Sequence, residues 1–197
     1  YLDDQHCGHT IDGNVFERCH QAVFIGGGDD NIVANNVFHE CRRAAHIDNR
    51  GMGWQKAATD DPNGTLRTRL REMPIDSDLW KQRYPTLAGI LDDDPNIPKR
   101  NVFARNISAG GTWNHIHEGT RQYQTIEDNL VFDDDPDWIR LLKDGSGKLV
   151  KIEFKDPEAV AKIGFQPIPV EKIGVYPDER RASWPVENPV RVVTMPK

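Results

Sequence analysis

The chain has 197 residues, 37% of them hydrophobic and 28% charged, with 16 Gly and 13 Pro. That length supports one domain with a substantial core, or two, and the composition excludes a disordered chain. A net charge of −6 argues against a nucleic-acid binder, and no apolar run approaches the roughly 18 residues that a membrane span needs.

The chain opens at Tyr1 inside a strand-like segment, without Met or a leader, as expected of a piece whose natural N-terminus lies upstream. Residues 9–30 then repeat as residues 31–52 at a shift of 22. Asn14 falls on Asn36, Val15 on Val37, Phe16 on Phe38, Cys19 on Cys41 and Ile25 on Ile47. The stretch from Gly53 to Lys99 breaks the repeat. It carries helical patterns at Leu66 to Arg71 and at Leu79 to Tyr84, the second running on to Leu91, with Pro74 and Pro85 as breakers. The repeat returns at Asn101 to Ser108 and Trp113 to His117, and more weakly at Thr125 to Phe132.

Each unit consists of short β-branched or aromatic runs broken by Gly, Asn and Asp. A period near 22 with an Asn at one fixed corner predicts an all-β fold, a right-handed single-stranded parallel β-helix. The repeated Asn is expected in a strained turn, passing amide hydrogen bonds along the stack. The expected organisation is solenoid coils over 1–144, a helical insertion at about 53–99, and a C-terminal part over 145–197. That last part should hold a strand at Lys148 to Phe154, a helix around Pro157 to Lys162 and an extended tail that packs on or caps the solenoid. With three cysteines a complete disulfide framework is unavailable, and Cys19 and Cys41 read as stacked, inward free thiols.

If Ile25, Ile47 and Ile116 point inward, their neighbours form two outward columns. One reads Tyr1, Phe24, His46, His115, and the other Asp3, Gly26, Asp48, His117. Asp3 and Asp48 then stand two coils apart, roughly 9–10 Å at the strand spacing, with Gly26 leaving a hollow between them. Paired carboxylates at such a separation suit glycoside hydrolysis, nearer the inverting range of roughly 6.5–9.5 Å. Asp48, Asp3 and His46 are the candidate catalytic groups. His117, His115, Arg50, Trp54, Asp30 and Glu118 are the candidate substrate-binding groups. Asp4, Asp29 and Asp30 are rival carboxylates on nearby turns.

No metal or other cofactor is assigned, although the runs Asp92 to Asp94 and Asp133 to Asp135 offer oxygen ligands for calcium. Trp113 and Trp54 are weighed between sugar stacking and packing, while Trp80, Trp138 and Trp184 are assigned to packing. Asn106-Ile107-Ser108 matches a glycosylation sequon, but the repeat corner accounts for it.

Three segments carry a resemblance: Phe24 to Asn31, His46 to Trp54, and Arg83-Tyr84-Pro85 with Leu91 to Pro95. The ending from Ile173 to Tyr176 and from Arg181 to Val186 adds to it. Together they resemble bacterial right-handed parallel β-helix proteins of the glycoside hydrolase family 141 type, and more loosely the pectate-lyase-like superfamily. The resemblance covers almost the whole chain, but only the C-terminal part of such proteins. It implies a secreted or periplasmic, monomeric, glycan-cleaving enzyme. Two alternatives stay open. One is a lyase acting on uronate-containing glycan, with Arg50 or a His as base. The other is a non-catalytic carbohydrate-binding or structural module.

Overall fold

The computed structural model describes residues 1–174. The tail motif from Val175 onward, including Trp184, lies outside the described residues. The short apolar runs fold as strands of three to five residues, one set per repeat. The first set is β1 (Thr10–Asp12), β2 (Val15–Glu17) and β3 (Val23–Ile25), and the second is β4 (Ile32–Ala34), β5 (Val37–Cys41) and β6 (Ala45–Ile47). The third set is β7 (Val102–Ala104), β8 (Ile107–Gly111) and β9 (Asn114–Ile116), followed by β10 (Thr125–Glu127) and β11 (Leu130–Phe132).

Equivalent strands pair in parallel, giving three sheets in the orders β1-β4-β7-β10, β2-β5-β8-β11 and β3-β6-β9. The sequence shift is the structural register: Val15 opposes Val37, and Phe24 opposes His46. Alternation within each strand sends Val23, Ile25, Val33, Phe38, Ile47 and Phe103 into a common core. Phe16 and Phe38 stack there at 5.0 Å, with Trp113 edge-on to Phe38.

Two amide ladders run through the corners. Oδ1 of Asn36, Asn106 and Asn129 accepts the backbone N–H of Asn14, Asn36 and Asn106 at 3.0, 3.1 and 3.0 Å. Asn31, Asn101 and Gln124 repeat the pattern at the other corner. The strain lies one residue earlier than expected, because Asn35, Arg105 and Asp128 carry the positive φ (56°, 53° and 50°). Each ladder amide then bridges to the next repeat. Asn106 is fully buried and donates to the Val33 carbonyl, so it is no site for a glycan.

These elements correct the all-β solenoid expectation. Helix makes up about 25% and strand about 28% of the described residues, and no closed solenoid is found among them. The parallel pairing is confined to short sheets of three or four strands, and two departures of the chain explain why. First, the segment between β6 and β7 leaves the stack, so that Asn31 meets a partner 70 residues on rather than 22. It contains helices α1 (Lys56–Asp60), α2 (Thr65–Arg71) and α3 (Asp78–Arg83), and 3-10 turns at Arg50–Met52 and Leu87–Asp92. The helical patterns read at 66–71 and 79–84 are present, whereas α1, without a side-chain cap or an apolar stripe, gave no signal.

Second, after β9 the chain forms helix α4 (Glu118–Arg121), and after β11 it turns into an antiparallel pair, β12 (Ile139–Lys143) with β13 (Leu149–Phe154). Residues 139–143 were expected among the coils and belong instead to this pair. Helix α5 (Pro157–Lys162) follows, N-capped by Asp156, whose carboxylate accepts from the N–H groups of Glu158 and Ala159. Trp138, Ile139, Val160, Phe165, Ile168 and Val170 cover the outer side of Val37, Ile107 and Ala109 in one apolar cluster. That packing covers the sheet β2-β5-β8-β11 and does not include the outward residues of β3, β6 and β9.

Candidate functional site

The outward side chains of β3, β6 and β9 continue a bridge between Leu2 and Ile25. Tyr1, Phe24, His46 and His115 therefore stack in one file, with successive ring centroids 4.5, 4.5 and 4.9 Å apart. Backbone bonds from Gly26 N to Leu2 O, Asp48 N to Ile25 O and His117 N to Ile47 O align the strand exits. Asp3, Gly26, Asp48 and His117 thus follow one another, as the alternation argument requires.

The hollow above Gly26 is occupied. Arg50, on the 3-10 turn that leaves β6, is buried, and its guanidinium lies against Gly26. A Cβ there would stand 2.6 Å from the Arg50 Cζ, so glycine is required for this approach. The guanidinium fork donates to Asp48 through Nε (3.0 Å) and Nη2 (2.8 Å), and to Asp3 and Asp4 through Nη1 (2.5 and 3.0 Å). Nη2 also reaches the Tyr1 hydroxyl at 2.8 Å. The rings of Tyr1, Phe24 and Trp54 surround the cation with centroids at 5.7, 5.5 and 5.7 Å.

This hub fixes the ionisation of its neighbours. Hydrogen bonds from Tyr1 and Arg50 hold the Asp3 carboxyl below the usual carboxylate range, while the Asp3 bond raises the Tyr1 phenol. Burial works against the charged form of Arg50, but its bonds to Asp48, Tyr1 and Asp3 win, and its pKa rises. Three carboxylates face one guanidinium, which leaves the cluster with two net negative charges.

His46 is half-buried, and burial lowers its pKa, so the ring is neutral near pH 7. Its Nδ1 lies 2.6 Å from the His115 carbonyl oxygen. A carbonyl only accepts, so Nδ1 carries the proton and Nε2 keeps a free lone pair. His115 is exposed beside it. His117 caps α4, its Nδ1 accepting the Gly119 N–H at 3.3 Å. No family model matches the chain, and no curated protein or solved structure does either.

The remaining predicted residues divide. Trp54 is 75% exposed at the rim of the hub, whereas Trp113 is buried in the core and offers no face to a ligand. Glu118 is exposed in the first turn of α4. Asp30 is not gathered into this site, because both its oxygens pair with Arg100 at the far end of the 53–99 excursion, together with Asp29 and Asp93. The aspartate runs are used similarly: Asp93 by Lys99 and Arg100, and Asp135 by Lys155. No group of His, Cys, Asp and Glu among the described residues is arranged to hold a metal ion. Among them no helix is long and apolar enough to cross a membrane.

Sequence reasoning placed Arg50 near the site but missed its position at the centre, along with the contributions of Tyr1 and Asp4. A signal was present. A glycine interrupts the second column at position 26, between Asp3 and Asp48, and a long cation, Arg50, follows Asp48 by two residues.

Proposed function

We propose that the β3-β6-β9 face binds a glycan and that the chain belongs to a glycan-cleaving protein, most simply a glycoside hydrolase. The observation that carries this reading is the file of aromatic rings laid directly alongside a fixed, net-negative carboxylate cluster. Ring faces and the exposed Trp54 suit the apolar faces of sugars, and carboxylates accept their hydroxyl hydrogens.

The chemistry differs from a simple acid–base carboxyl pair. Arg50 keeps Asp3 ionised, so that carboxyl is not poised as a proton donor, and it engages Asp48 by two nitrogens. Their uncompensated negative charge would favour the cation-like transition state of glycoside cleavage. His46, neutral and with Nε2 free, would take the proton from attacking water. His115, His117 and Glu118 would line the approach. The lyase alternative with Arg50 as base finds no support, since every arm of its guanidinium is bonded and its pKa is raised. In this reading the protein is monomeric and works outside the cytoplasm, on a glycan whose sugar and linkage remain to be chosen by assay.

Release of reducing ends from a polysaccharide panel tests this, with wild type compared to Asp48→Asn and His46→Gln. Turnover lost in both variants while binding survives is the expected result. Equal turnover in all three would sink the site. A second reading, binding without cleavage, is favoured by the saturation of the carboxylates by Arg50. Wild-type affinity without any product from any glycan would select it.

A further inference from the structure

The first and second repeats bring two of the three cysteines together at the edge of the core. β2 and β5 pair through Glu17 and His39, and the ladder continues with Arg18 N to His39 O at 2.8 Å and Arg42 N to Cys19 O at 2.9 Å. Cys19, two residues past β2, and Cys41, the last residue of β5, therefore stand level in successive repeats, about one strand spacing apart, roughly 4.8 Å. That lies within the Cα separation that a disulfide spans, roughly 4.4–6.8 Å.

Both thiols reach carbonyls at the end of β2. Cys41 Sγ reaches back one repeat to the Phe16 carbonyl at 3.6 Å, while Cys19 Sγ bonds the adjacent Glu17 carbonyl at 3.6 Å. In the third repeat the position opposite Cys41 is Gly111, so the sulfur stack holds two members. Cys7 lies at a different corner, with its Sγ accepting the Asp29 N–H at 3.2 Å.

We propose that Cys19 and Cys41 are a redox site, closing to an intrachain disulfide that fastens the first repeat to the second when the protein meets a small-molecule disulfide such as oxidised glutathione. Cys19 is the more exposed of the two and Cys41 is buried, which sets the order of events. The Cys19 thiolate attacks one sulfur of glutathione disulfide and expels one glutathione thiolate. The Cys41 thiolate then attacks the Cys19 sulfur of the mixed disulfide and expels the second. Two protein thiols are oxidised, one glutathione disulfide is reduced, and the two thiol protons end on the two glutathiones. Burial pushes the Cys41 thiol up to about 11, so the closing step should accelerate about tenfold per pH unit between 7 and 9.

The test uses the whole reduced chain in a glutathione/glutathione disulfide buffer, acid-quenched, alkylated and digested with trypsin. Cuts after Arg18 and Arg42 leave both cysteines in one peptide, Cys19–Arg42. The expected product is that peptide two hydrogens lighter and unalkylated, with Cys7 still alkylated. The oxidised chain should melt roughly 5 °C or more higher. Cys7→Ser should close identically, and Cys19→Ser should leave Cys41 free. Three alkylated cysteines, a persistent glutathione adduct on Cys19, or a linkage to Cys7 would each overturn the proposal.

Discussion

Two arginines bracket the 53–99 excursion, and each gathers three aspartates. Arg50 at the entrance holds Asp3, Asp4 and Asp48, while Arg100 at the exit holds Asp29, Asp30 and Asp93. The burial is reversed between them. The Arg50 side chain is 4% exposed while those of Asp3 and Asp4 are 55% and 65% exposed, so negative charge is presented to solvent. The Asp29 side chain is 4% exposed while that of Arg100 is 32% exposed, so the buried partner is the anion. One guanidinium builds a surface that a ligand can meet, and the other closes a joint between the excursion and the sheets. The same residue types therefore carry different meanings according to which partner has lost its water.

The largest effects should come from removing each arginine. Arg50→Ala and Arg100→Ala are each expected to cost about 3 kcal/mol in urea denaturation at pH 7, as for one partner taken from a buried ion pair. Their pH responses should separate them. Burial pushes the Asp29 carboxyl up to about 6, against the opposing pull of the Lys99 N–H and Arg100. Below that pH Asp29 accepts a proton and no longer needs a cation, so the Arg100→Ala deficit should shrink at pH 5. The Arg50→Ala deficit should persist there, since Asp3 stays ionised to lower pH. Equal pH responses would remove the distinction between the hubs.

In the wild-type chain the same group gives a second, somewhat smaller effect. The folded pKa of Asp29 lies above the unfolded value of about 3.9, so its contribution to stability is present below pH 4. It is lost as pH rises through 6, about 2–3 kcal/mol in all. Asp29→Asn should flatten the decline between pH 5 and 7, because Oδ1 of an asparagine still accepts the Lys99 N–H. A decline of unchanged slope would assign it to another group.

The sequence made some of this legible and hid the rest for physical reasons. The 22-residue shift fixed the register, so the file Tyr1, Phe24, His46, His115 follows from alternation alone. Helices α2 and α3 were visible because Leu66 and Leu70, and Trp80 and Tyr84, each four residues apart, mark a helical period. The overall class was misread because a local repeat says nothing about how long pairing persists, and the departures into α1, α4 and the β12-β13 pair carry weak signals. At the site, spacing placed Asp3 and Asp48 in one column but could not show that Arg50 would join them. A long side chain reaching back over two strands leaves no periodic trace. Asp30 was drawn in by sequence closeness to Gly26, although its left-handed backbone turns it toward Arg100.

Gly26→Ala sharpens the comparison without deleting a charge. The added Cβ would press on the Arg50 guanidinium and on nothing at the Arg100 hub. The expected cost is about 2 kcal/mol, in the range of overpacking a filled site, with glycan affinity falling in parallel. The decline in stability between pH 5 and 7 should keep its slope, which thermal scans at the two values would show. A loss of that slope would mean that the hubs are coupled through the excursion.

The smallest effect on stability and the clearest one on binding should come from Trp54→Ala. The indole is 75% exposed and touches the hub only by lying against the Arg50 cation, a contact worth about 0.5 kcal/mol at an exposed site. A change within about 0.5 kcal/mol is therefore expected in urea denaturation. If the ring stacks on a sugar, losing that face should remove about 1.4 kcal/mol of binding, a tenfold rise in Kd by isothermal titration with whichever glycan the panel selects. A drop in melting temperature of several degrees would instead show that Trp54 holds Arg50 in place. The exposed side of the hub would then be structural like the Arg100 joint, and the contrast between the two arginines would reduce to burial alone.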